Sequence, residues 1–90
     1  MQREINSNSD LVDYLNELAE RLKNEHDFRD ALLRTTRFSS GSSSEFLHEA
    51  YVALNRIKLS SLAVLKSEDL VQIDSVLSQI QQAFDAIGGA

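Results

Sequence analysis

The sequence predicts an all-α fold, a small antiparallel helical bundle, and three observations carry that expectation. Apolar residues recur at intervals of three and four along most of the chain, and no run alternates β-branched or aromatic residues with polar ones. The C-terminal stretch also has matching helix start and stop residues at its two ends. Three long helices are expected, the first broken so that the chain makes four segments, and the last two form a hairpin. With 90 residues the chain makes one domain, 1–90, near the small end of what folds alone.

The first helix should run over about 10–24, capped by Ser9 or Asp10, with Leu11, Leu15, Leu18, Ala19 and Leu22 on one face. The stripe then fails. An unbroken helix would turn Glu25, His26 and Arg29 inward, while Phe28, Ala31 and Leu32 lie on a shifted side. A break near Asn24 to Asp27 is therefore expected, with Asp27 capping a shorter segment over about 28–36; the alternative is one long helix with polar groups turned inward. Ser39-Ser40-Gly41-Ser42-Ser43-Ser44 is the one low-complexity stretch and reads as a flexible connection.

The next helix should span about 45–66, capped by Ser42 through a Ser-x-x-Glu box or by Ser44, with Phe46, Leu47, Ala50, Tyr51, Leu54, Ile57, Leu62 and Leu65 forming a broad stripe. Val52, Leu59 and Ala63, at spacings of seven and four, make a second stripe roughly opposite. Either this helix is central and flanked on two sides, or the second stripe meets another chain. The last helix should cover about 68–87: Ser67 stands at the cap, Glu68 and Asp69 face the positive dipole end, and Gly88-Gly89 supply the stop. That leaves a turn of little more than Ser67 between the two. The expected core contains Leu15, Leu18, Leu22, Phe46, Leu54, Ile57, Ile73, Leu77, Ile80 and Phe84.

Function is constrained mainly by what is missing. Without cysteine there is no disulfide scaffold, thiol catalysis, iron–sulfur ligation or Cys-containing zinc site. Glu45-Phe-Leu-His48 has the Glu-x-x-His spacing of carboxylate-bridged di-iron bundles, but such a centre needs a second copy and two further glutamates, and both residues lie off the apolar stripe. Asp74-Ser75-Val76-Leu77 resembles the Asp-Ser-Leu tripeptide of acyl carrier proteins. A carrier serine opens a helix with two more behind it, whereas Ser75 falls in mid-helix, so the resemblance ends with the tripeptide. His26 and His48 have no recognisable catalytic or phosphoacceptor setting, no serine lies in Gly-x-Ser-x-Gly, and the Ser-rich stretch lacks the lysine of a phosphate-binding loop. No enzyme activity, metal, cofactor or small-molecule substrate is expected. Nothing reads as a membrane span or as the apolar region of a secretory signal, so a cytoplasmic protein is expected.

Charge is uneven. Residues 1–30 hold 4 basic and 8 acidic groups, residues 31–66 hold 5 and 2, and residues 67–90 hold 0 and 4, for a net charge of −5. An acidic whole argues against generic nucleic-acid binding. Arg29, Arg34 and Arg37, joined by Arg56 and Lys58, nevertheless offer a basic patch unless they pair with Glu25, Asp27, Asp30 and Glu49. The expectation is a small acidic protein-interaction or regulatory module that associates with itself or a protein partner through Val52, Leu59 and Ala63. The alternative is a nucleic-acid-associated regulator using Arg34 and Arg37.

Overall fold

The computed structural model describes residues 4–86, and among these all regular structure is helical. Four α-helices follow in order: α1 (Asn8–Arg21), α2 (His26–Thr36), α3 (Ser43–Leu59) and α4 (Ser67–Ala86), with a short 3₁₀ turn, Arg37–Ser40, continuing α2. The body measures 36 × 25 × 19 Å. Leu15, Leu18, Leu22, Phe46, Leu54, Ile57, Ile73, Leu77 and Ile80 are all buried in one cluster; Phe84 packs against it and is only partly buried. The glycine stop and Ile87 lie outside the described residues.

The start of α1 is set by Ser7, not by Ser9 or Asp10. Ser7 has extended backbone and its Oγ accepts from the Asp10 N–H at 3.2 Å, while the Asp10 carboxylate accepts from the Asn6 N–H at 2.9 Å. Asp10 is thus a partner in the cap rather than the cap itself, and two otherwise orphaned donors are satisfied. Leu22 closes α1 by donating to both Leu18 and Ala19 carbonyls. The expected break is real but falls a little earlier, over Leu22–Glu25. Glu25, without a side-chain bond, precedes α2, and Asp27 sits in its first turn instead of capping it.

The break is a reversal of direction. The 3₁₀ turn that follows α2 contacts α1, and Asn8 Nδ2 donates to Ser43 Oγ at 3.2 Å, so the far end of α2 has returned to where α1 begins. α1 and α2 are therefore antiparallel neighbours. Along α2 the buried Thr35 hydroxyl donates to the Ala31 carbonyl and the Thr36 hydroxyl to that of Leu33. Back-bonding of this kind satisfies the hydroxyls inside the helix and loosens its last turn. The Ser-rich stretch is built into structure: Ser39 and Ser40 finish the 3₁₀ turn, Ser42 Oγ accepts from the Glu45 N–H, and Ser43 and Ser44 open α3.

The largest departure from expectation is the end of α3, which stops at Leu59 and not at Lys66. Ser60 folds its hydroxyl back onto the Arg56 carbonyl at 2.7 Å, and Ser61 takes φ 52°, the left-handed region that ends helices. Stopping here frees Leu62–Leu65 to make a turn, so that Leu65 is buried and Leu62 packs against the core. A helix continued to Lys66 would leave almost no chain for the reversal into α4. α4 then starts one residue early. Its first helical bond runs from the Leu70 N–H to the Lys66 carbonyl, making Ser67 its first residue, and Asp69 accepts the Lys66 N–H at 2.9 Å.

The same Asp69 ties α4 to α1, pairing with Arg21 at 3.1 Å. Leu11, Leu47 and Ile80 meet around one small apolar slot, which joins the starts of α1 and α3 to the last turns of α4. The helices thus run up, down, up, down around a single core, with α4 packed on α3 and tied to α1 through Arg21 and Asp69.

Candidate interaction surface

α3 lies between α2 and α4, which both pack against it, and has one face outward. For α3 the flanks are identified by contact: α2 packs on one side, and Lys58 reaches Asp74 of α4 on the other. At 100° per residue, Glu45, His48, Val52, Arg56 and Leu59 fall within an arc of roughly 80° on the remaining side. All five are exposed. Leu59 is 72% exposed and Val52 39%. The explanation that α3 is a central helix whose second stripe is covered within the chain does not hold for these two residues, because its neighbours engage the flanks.

Ala63 does not belong to this face. It is exposed but lies in the turn beyond the end of α3, because the helix stops four residues before it. Two apolar residues overlooked in the sequence stand at the same level of the fold: Val64, 49% exposed in that turn, and Val71, 55% exposed on the first turns of α4. Val71 was detectable, since it falls among Asp74, Ser75, Ser78 and Gln82 on a face that otherwise reads as polar.

The basic residues of the middle segment do not form one patch. Arg34 and Arg37 are exposed, one turn apart at the end of α2 that adjoins the start of α3, and neither makes an ion pair among the described residues. Arg56 stands 13 residues beyond Ser43, about 20 Å along α3 at 1.5 Å per residue. Lys58 is occupied by Asp74. Of the expected acidic partners only Asp30 pairs with an arginine among the described residues, 3.8 Å from Arg29, whose Nε is buried without a hydrogen-bond partner.

A further concave surface is a broad open groove of about 940 Å³ between Glu4–Asn6 and the outer side of α4, lined by Val71, Asp74, Ser78 and Gln82 among others. The Ile5 N–H donates to Gln79 Oε1 at 2.6 Å, which pins the N-terminal segment along its edge. Ser75, in mid-helix, accepts from Gln79 Nε2. Its lining residues include no imidazole or lysine; two carboxylates, Glu4 and Asp74, stand among amides and hydroxyls. No three His, Asp or Glu side chains among the described residues are placed to hold a metal ion, and Glu45 and His48 point outward on α3. Among the described residues no helix is long and apolar enough to cross a membrane. Comparison with known proteins gives no matching family model, no matching curated protein and no matching solved structure.

Proposed function

We propose that this chain is a small helical interaction module that acts by contact rather than by chemistry, associating with a second copy of itself through the outer face of α3. The observation that carries the reading is Leu59: a large aliphatic side chain 72% exposed, on the same face as Val52, with both flanks of its helix already engaged. The test is size-exclusion chromatography with light scattering on the wild type and Leu59→Glu. The wild type should exceed its 10.1 kDa monomer mass increasingly with concentration, and the variant should stay at that mass while keeping its helical circular-dichroism spectrum. Monomers of equal mass for both proteins at every concentration would remove the reading.

A second reading, contact with nucleic acid through Arg34 and Arg37, has in its favour two exposed guanidinium groups one turn apart with no internal carboxylate partner. Binding in a gel shift at low salt that is abolished by Arg34→Ala and Arg37→Ala supports it; absence of binding at low salt ends it.

A further inference from the structure

The outer face of α3 carries opposite charges at its two ends. Glu45 lies in the first turn and Arg56 in the last, both exposed and neither in an ion pair among the described residues, with Val52 between them. A two-fold symmetric contact must be self-complementary, each patch meeting its own copy turned through 180°. We infer that two copies pair through α3 in antiparallel orientation, with Glu45 of each chain against Arg56 of the other. This inference rests on the self-association proposed above and adds its orientation and register.

The two-fold axis then crosses α3 midway between Glu45 and Arg56, level with Ala50 and Tyr51. Val52 is less than half a turn from that level, so the two Val52 side chains are neighbours across the axis. Leu59 of each chain extends to the partner's α3 start, beside Ser42 and Ser43. A parallel pairing sets Glu45 against Glu45 and Arg56 against Arg56, and it aligns the two helix dipoles; the antiparallel one removes both penalties. Charge complementarity thus selects a second copy in one orientation as the occupant of this face.

Charge reversal distinguishes the arrangements. Sedimentation equilibrium is run on the wild type, Glu45→Arg, Arg56→Glu and the double variant, with circular dichroism confirming that each is folded. Antiparallel pairing places like charges together twice in either single variant, so each should raise the dimer dissociation constant about tenfold or more. The double variant restores both pairs in reverse and should return to within about threefold of the wild type. Because the chain has no cysteine, single thiols give an independent readout. Val52→Cys should cross-link to its copy with a short bismaleimide, whereas Leu59→Cys should not, the two positions lying about 25 Å apart along the helices. A wild-type dimer indifferent to the single reversals, or a double variant as weak as the singles, overturns the pairing and leaves self-association standing. A wild type that is monomeric throughout overturns both.

Discussion

Ser61 offers a sharp test of where α3 ends. It is the one non-glycine residue among those described with positive φ, at 52°, it is exposed, and its hydroxyl makes no hydrogen bond among them. A side chain in the left-handed region costs about 1–2 kcal/mol, which Ser61→Gly would recover. Glycine also gives the unfolded chain more freedom, which takes back about 0.4–1 kcal/mol. The net is a gain of about 0.8 kcal/mol, equivalent for a domain of this size to a Tm higher by roughly 3–6 °C. Ser60→Gly is the matched control. Its φ of −80° needs no glycine, and it loses the hydroxyl bond to Arg56, so it should cost about 0.5–1 kcal/mol. Thermal and urea unfolding followed by circular dichroism measure both. Were the helix continuous to Lys66, both substitutions would destabilise; a Ser61→Gly protein that melts lower than the wild type refutes the observed helix end.

Three further outcomes follow from the packing. Phe46 is fully buried, so Phe46→Ala should cost about 3–5 kcal/mol in urea unfolding, whereas Leu33→Ala on α2, 37% exposed, should cost only about 1 kcal/mol. Asp69→Ala removes both a cap acceptor and an ion-pair partner and should cost about 1–2 kcal/mol, and Arg21→Ala less than about 1. The coupling between those two changes should shrink in 1 M NaCl, where the screening length is only about 3 Å, while the capping part of the Asp69 loss persists. Ser42→Ala should cost about 1 kcal/mol through loss of the α3 cap, measured by the same unfolding transitions.

The elements that the sequence announces most plainly are those where several local signals coincide. α4 has its stripe, its acidic first turn and its cap partner Asp69 within one stretch, and only the identity of the first residue shifts. The α1–α2 break was legible because a continuous helix would have buried Glu25, His26 and Arg29. The end of α3 was not, because Leu62 and Leu65 keep helical spacing with Ile57 while serving a different purpose, filling the reversal into α4. The Ser60-Ser61 pair was the local signal, and it lies inside an apolar run that outweighs it. The same apolar spacing sets Ala63 in line with Val52 and Leu59 in the sequence, although the chain has already left the helix there. Val52 and Leu59, both upstream of Ser60, were correctly placed opposite the main stripe, but which flanks were engaged required the other helices. Tyr14 and Ala53 also belong to the core, which the sequence does not signal, since each sits at the margin of its stripe and its burial depends on a neighbour.

The strength expected of the proposed α3 contact follows from how little surface remains to be covered. Full burial of a Leu or Val side chain is worth about 1.5–3 kcal/mol, so covering the exposed fractions of Leu59 and Val52 gains about 1.5–3 kcal/mol per chain, or about 3–6 for two. Association costs about 4–15 kcal/mol in lost translational and rotational freedom. Two solvent-exposed Glu45–Arg56 pairs add less than about 1 kcal/mol each and fix orientation more than affinity. At the favourable end of these ranges the sum reaches only about −4 kcal/mol, a dimer whose dissociation constant is about 1 mM or weaker. Dilution from about 1 mM to 10 µM should therefore carry the light-scattering mass down to that of the monomer. A dimer that persists at nanomolar concentration would need far more buried area than one helix face supplies, and would move the contact to a surface that includes the turn at Val64 and the start of α4 at Val71. Under the proposed pairing so weak a contact would exchange readily, which would leave the outer face of α3 open to a partner presenting the same alternation of acid, aliphatic and base.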